Sequence, residues 1–378
     1  MSFYDGLRSF ERQVMNQVLL KEKIEKNRIV VLKSKGAPVL VGESLGLKVN
    51  ASVGLNAKEE FGAEREKVKE IQRHTIHPDT MMDLSTQKVP IPLYQVIASE
   101  LGCPVGTIPY YSCFTPEGGI DKAELLDTIE EQAAAGVAFM TLHLTADLGL
   151  AEQATRRLIP VISRGGSLLL RDIKKNRRSE NILLECLDEI VGICKKYCVV
   201  INVGTTFRPS TLLDALDDVN LRELEQQKEL CMYLIKSGIS VQMEGIGHIP
   251  MLKIPDYVRY LRKEIYIPFM PLGPIVSDRT SGQDHITAAV GAAYMAALGG
   301  ADIINAVTRE EHTGGIPTTH SILEAIDTAC TVAQIVNDTR FPNLTPPKNK
   351  YHNCMGDPEK IGCDRCGQEC PFLWNNID

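Results

Sequence analysis

Between residues 46 and 340 the chain alternates short apolar runs with longer helix-period stretches, and no other feature restricts its fold as much. The runs "KVNASVG", "DTMMDLS", "AFMTLHL", "CVVINVG", "SVQMEGIG" and "ADIINAV" are of strand length and are flanked by turn residues. "PVGTIP" and "EIYIPFM" are weaker members of the same series. Between them lie "AKEEFGAEREKVKEIQRH", "DKAELLDTIEEQAAAG", "SENILLECLDEIVGICKKY" and "NLRELEQQKELCMYLIKSG". Two of these end at Gly, a common helix stop, and Asp121 and Ser179 stand where helix starts could be capped. Eight or nine strands over about 290 residues, each followed by helix, predict a (β/α)8 barrel. A doubly wound open sheet is the alternative. No G-x-G-x-x-G follows the first strand, which weighs against its dinucleotide-binding form.

The flanks differ from this pattern. Residues 1–45 read as a charged helical segment, "LRSFERQVMNQVLLKEKIEKNR", followed by the apolar run "RIVVLKS". Residues 341–378 form a tail that closes on "CDRCGQEC". The expected organisation is therefore an N-terminal helical segment, a barrel over 46–340 and a C-terminal tail.

With 44% apolar and 24% charged residues, a sizeable core is available. A net charge of −7 argues against a nucleic-acid groove or a polybasic membrane surface. No apolar run approaches the ~18 residues of a membrane span, and "MSFYDGLRSFERQ" lacks a signal-peptide core. A cytoplasmic location is expected, where the 11 cysteines stay largely reduced.

In a barrel enzyme the reacting groups stand at the C-terminal strand ends. Those ends carry Asp83 and Ser85, His143, Arg208, and Glu244 with His248, while His312 follows the last strand. His248 and His312 could share a metal, although 64 positions separate them and no local motif joins them. "SRGGS" at 163–167 offers backbone N–H groups and an arginine to a phosphate, or is a tight turn. The tail, Cys363-x2-Cys366-x3-Cys370, admits three readings. It is a zinc site with Cys354 as fourth ligand, a four-cysteine electron-transfer cluster, or a three-cysteine 4Fe–4S cluster with one open iron. An open iron can take the amino and carboxylate groups of S-adenosylmethionine.

Seven segments in order, "DTMMDLST", "PVGTIPYY", "SRGGS", "EGIGHIP", "LGPIVSD", "DHITAAVGAA" and "TREEHTGGIP", resemble a family of radical S-adenosylmethionine enzymes. Its members are phosphomethylpyrimidine synthase and its paralogue 5-hydroxybenzimidazole synthase. The resemblance runs from about residue 46 to the end. It implies a (β/α)8 barrel with a C-terminal cluster tail that acts on 5-aminoimidazole ribonucleotide. It also implies a 4Fe–4S cluster, S-adenosylmethionine, a divalent metal (zinc or iron), and an electron donor such as flavodoxin or ferredoxin. The assembly implied is a homodimer in which the tail closes over the partner's barrel mouth.

Carried over by motif, substrate contacts fall on Ser52, Met82, Tyr111, His143, Ser163, Arg164, Gly165, Thr205, Thr206, Phe207, Arg208, Glu244 and Met270. Glu244 and His143 take the catalytic roles, His248 and His312 the metal, and Cys363, Cys366 and Cys370 the cluster. The sequence departs from the family pattern at four places. Three residues rather than four separate Cys366 from Cys370, and Ser52, Thr205 and Met270 replace an amide, a carboxylate and a phenol. These pocket changes favour 5-hydroxybenzimidazole as product over the thiamine pyrimidine phosphate. The reading outside the family is a barrel metallohydrolase using His143, His248 and His312 with a structural zinc tail.

Overall fold

A computed structural model of the chain describes residues 3–115 and 118–341, together with 365, 366 and 369. The chain divides into two compact units, Met1–Arg340 and Phe341–Asp378. Cys354, Cys363 and Cys370 lie outside the described residues; Cys366 is a half-buried free thiol.

The eight expected strands all form: β1 (Lys48–Val53), β2 (Thr80–Asp83), β3 (Val105–Thr107), β4 (Phe139–Leu142), β5 (Val200–Val203), β6 (Val241–Gly245), β7 (Phe269–Pro271) and β8 (Ile303–Asn305). They pair in parallel in the spatial order β7-β6-β5-β4-β3-β2-β1-β8. The ring closes between β7 and β8, where the Asp302 N–H donates to the Phe269 carbonyl at 3.0 Å. The Asn305 amide reaches the Pro271 carbonyl at the same distance. Strands buried on both faces must be apolar nearly throughout, which is why "VINV" and "FMTL" run without charges.

Helices cover the outside: α1 (Phe61–Arg73), α2 (Leu93–Glu100), α3 (Lys122–Ala134), α4 (Arg164–Asn176), α5 (Leu187–Tyr197), α6 (Asp218–Lys236), α7 (Ile254–Arg262), α8 (Asp284–Ala297) and α9 (Thr319–Arg340). Asp121 caps α3 as expected, accepting from the Glu124 N–H. Ser179 does not cap; Asn181 takes that role for the short turn Ile182–Glu185. After α3 and α6 the chain turns at Gly136 (φ +93°) and Gly238 (φ +81°), a conformation that costs other residues free energy.

The N-terminal segment is only partly helical. Beyond two short helices, Ile29–Leu32 pairs antiparallel with Val39–Gly42. The segment seals the N-terminal ends of the barrel strands. Asn27 exchanges two hydrogen bonds of 2.8 Å with the Val241 backbone at the start of β6. Glu11, fully buried, pairs with buried Lys48 of β1 at 2.6 Å and accepts from the Gly46 N–H.

Strand side chains alternate between faces, and one inward layer is polar. Thr80 donates to Asn50 at 2.8 Å, Asn50 to Asn305 at 2.7 Å, and Asn202 to Thr141 at 2.8 Å. The next inward residues toward the C-terminal ends begin the site.

Candidate active site

His143 stands directly after β4, fully enclosed. The Tyr110 hydroxyl lies 2.7 Å from its Nδ1, and its Nε2 faces a Glu244 carboxylate oxygen at 3.9 Å. Burial holds the Tyr110 phenol well above its usual range, so the phenol keeps its proton and shares a hydrogen bond with Nδ1. Burial, and then the nearby Arg208 charge, push His143 down to about 3. The imidazole is therefore neutral, and its Nε2 side faces Glu244.

Two glycines make room for that ring. A Cβ on Gly165 would come within 2.4 Å of the Tyr110 oxygen and 2.7 Å of the ring; one on Gly204 would lie 2.9 Å from Nδ1. Behind the ring, the Asn181 amide donates to the His143 carbonyl at 2.8 Å.

Glu244 of β6 is buried, and loss of solvent raises its carboxyl to about 7 against the pull of Arg208 and the Thr205 N–H. A carboxyl poised there can hold or release a proton at neutral pH. Met270 of β7 lies in register beside it and is fully buried; Ser52 of β1 lies in register with buried Met82 of β2.

The "SRGGS" segment is a helix start. Ser163 caps α4, accepting from the Gly166 N–H at 3.1 Å. Arg164 lies over the Tyr111 ring at 5.7 Å and reaches Asn56, while Arg208 bonds the Thr205 carbonyl at 3.4 Å. Both guanidinium charges act on the Tyr111 phenol, which burial nevertheless pushes up to about 12. A helix N-terminus with two arginines suits an anion such as a phosphate.

The 205–208 loop is held from behind by Glu223 of α6, a residue outside the sequence-based expectations. Its carboxylate accepts from the Thr206 N–H at 2.6 Å, the Phe207 N–H at 2.9 Å and the Thr145 hydroxyl at 2.6 Å. The amides of Thr206 and Phe207 therefore point to Glu223 and shape the loop. Arg157 adds a bond to the Phe207 carbonyl, and Gln227 ties together the carbonyls of Val203, Gly204 and Glu244. Glu223 and Gln227 stand at i and i+4 on the face of α6 that the structure buries. Tyr110, beside the expected Tyr111, was also missed.

Asp83 and Ser85 serve other ends. Asp83 accepts from the Tyr94 N–H at the start of α2 and from the Ser85 N–H, and the Ser85 hydroxyl accepts from Leu55. Behind the 144–148 segment lies a hollow of about 460 Å³ lined by Thr145, Asn181, Gln226 and Tyr233 among others. It contains no cationic side chain and no part of the His143–Glu244 pair.

His248 and His312 meet although far apart in sequence, their Nε2 atoms 3.1 Å from each other. Asp278 holds the His248 Nδ1 at 2.6 Å and Asp284 the His312 Nδ1 at 3.0 Å. When each Nδ1–H is donated to its carboxylate, two lone pairs face one another, an arrangement that a cation between them relieves. Carboxylate–histidine pairs of this kind orient metal ligands, and 3.1 Å suits two nitrogens each about 2.0–2.1 Å from one ion. Among the described residues no group of three or more His, Cys, Asp or Glu converges as a metal site. His143 is engaged with Tyr110 and Glu244, which removes the three-histidine arrangement of the metallohydrolase reading.

Residues 8–345 match the Radical SAM ThiC family. The phosphomethylpyrimidine synthase of Carboxydothermus hydrogenoformans is 38% identical over 300 residues, covering 76% of this chain and 69% of that protein. The phosphomethylpyrimidine synthase of Sulfurisphaera tokodaii is 31% identical, with 94% of this chain and 91% of that protein aligned. Among solved structures, dihydropteroate synthase of Xanthomonas albilineans is similar at a TM-score of 0.47 and 11% identity, covering 81% of this chain and 97% of its own. That likeness carries no argument about function.

Proposed function

The chain belongs to the radical SAM ThiC family, and on that premise we propose that it rearranges 5-aminoimidazole ribonucleotide to the thiamine pyrimidine phosphate. Membership implies a 4Fe–4S cluster and S-adenosylmethionine, which together supply a deoxyadenosyl radical. It places the chain among radical carbon–carbon lyases. The choice of product rests on relatives named phosphomethylpyrimidine synthase that align over most of this chain.

One observation carries the reading of the site. A neutral imidazole, a carboxyl poised near 7 and a helix start with two arginines converge on one barrel mouth. The α4 N-terminus, Arg164 and Arg208 would hold the substrate phosphate. Ser52, Met82, Tyr111 and Met270 would line the ribose and base. His143 and Glu244 would exchange a proton with the rearranging substrate. His248 and His312 would bind a divalent metal, iron or zinc, and Cys363, Cys366 and Cys370 of a tail domain over 341–378 would bind the cluster. We include in the proposal a flavodoxin or ferredoxin electron donor and a homodimer. Among the described residues no helix is long and apolar enough to cross a membrane.

A second reading, 5-hydroxybenzimidazole as product, has its own observation. The Thr205 hydroxyl is buried with no protein partner, and the side chain in register with Glu244 is apolar Met270. An intermediate held there meets a hydroxyl and a thioether. Complementation separates the two: rescue of a thiamine pyrimidine auxotroph by this gene supports the first reading. Failure to rescue, with 5-hydroxybenzimidazole accumulating in the medium, supports the second.

A further inference from the structure

Directly beneath Glu244 on the same face of β6 lies Gln242, with no accessible surface. Neither atom of its amide meets a protein partner, and the same holds for the carbonyl oxygen of Asn202, its register partner on β5. Three polar atoms orphaned side by side inside a barrel are exceptional, because buried amides are almost always hydrogen-bonded to protein or to ordered water. The site is polar and offers both donor and acceptor atoms, which is the setting in which internal water is retained. The other members of this polar layer, Asn50, Thr80 and Asn305, are paired with one another.

We propose that an ordered internal water bridges the Gln242 amide and the Asn202 side-chain oxygen, making Gln242 a positioning residue for Glu244. The link runs through Asn202. Its amide nitrogen donates to the Thr141 hydroxyl at 2.8 Å, and from the adjacent strand its amide favours the charged form of the Glu244 carboxyl. An Asn amide works in this way only while its oxygen is held on the opposite side. The bridging water supplies that hold; without it the amide can flip and turn its oxygen toward the carboxylate. Water accepts and donates here without any change in bonding. The inference stands on the barrel interior alone and is independent of which product the enzyme makes.

Two measurements on the full chain test it. In a crystal structure at a resolution that shows ordered water, density is expected within hydrogen-bond distance of both Gln242 and Asn202. A dry site, or a Gln242 amide bonded directly to a protein group, overturns the proposal even if no variant folds. The second is an infrared titration of the Glu244 carboxyl, its band assigned with Glu244→Gln. Gln242→Met keeps the volume and removes both amide atoms. It is expected to tighten proton binding at Glu244 by roughly tenfold, an upward shift of about one pH unit, because a donor to the charged form is lost. The other groups facing Glu244 are His143, Arg208, Glu223, Tyr110 and Tyr111, and they stay in place in this variant. A merely structural role would lower stability without moving the titration, so an unmoved midpoint in folded Gln242→Met overturns the positioning role.

Discussion

At the scale of single residues, the site depends on protons held in unusual places. The folded protein binds the Glu244 proton more tightly than the unfolded chain does, since burial raises the carboxyl from 4.5 to about 7. That contribution to stability is complete below the unfolded value and is lost as pH rises through about 7. Glu244→Gln cannot lose the proton, so it should match the parent at pH 4. At pH 8 it should exceed the parent in stability by about 3 kcal/mol, as read by denaturant unfolding at both pH values. Equal stabilities at pH 8 would mean that Glu244 is not desolvated. The histidine pair makes a separate prediction. Removing one imidazole leaves too few protein ligands to compete with water, so His248→Ala and His312→Ala should each lose the divalent metal while the barrel stays folded. Asp278→Asn and Asp284→Asn, which disturb the outer bonds, should weaken metal affinity by about 10–100-fold. Metal analysis of cluster-free protein decides this; one equivalent retained in both alanine variants would contradict the assignment.

Among the elements, the parts legible in the sequence were those whose pattern is local. All eight strands announced themselves because a parallel barrel strand is buried on both faces and reads as one apolar run. His143, Glu244 and His248 were legible because each directly ends or follows such a run. Glu223, Asn181 and Tyr110 were not, since their importance lies in bonds to loops that come close only after folding. The N-terminal segment reads as a charged helical stretch followed by an apolar run, and in the structure that run pairs with Val39–Gly42 as a two-stranded ribbon. Its anchor is testable. Glu11→Ala would leave the Lys48 ammonium buried without its partner, which should cost about 3–5 kcal/mol. Glu11→Ala with Lys48→Met removes both charges and should recover most of that loss. Urea midpoints of the two variants decide whether the pair seals the barrel; equal losses in both would show that it does not. The Glu223 clamp should matter for function more than for the fold. Glu223→Gln keeps the shape but offers one acceptor oxygen to donors that now use two, so phosphate-ester binding should weaken by about tenfold. Isothermal titration with 5-aminoimidazole ribonucleotide would register the change.

The chain belongs to the radical SAM ThiC family, and its (β/α)8 barrel gathers His143 with Glu244, a helix start flanked by two arginines and a histidine pair at the C-terminal strand ends. Each part has its own physical cause: parallel pairing sets β4, β5 and β6 side by side, and the loops after β6 and β8 bring His248 to His312. The central claim is that this mouth converts 5-aminoimidazole ribonucleotide by radical chemistry. One anaerobic incubation of reconstituted protein with that nucleotide, S-adenosylmethionine and a reductant, read by mass spectrometry, tests it most directly. The account predicts 5′-deoxyadenosine together with the thiamine pyrimidine phosphate, and no pyrimidine phosphate with Glu244→Gln. Cleavage of S-adenosylmethionine that leaves the nucleotide intact would contradict it.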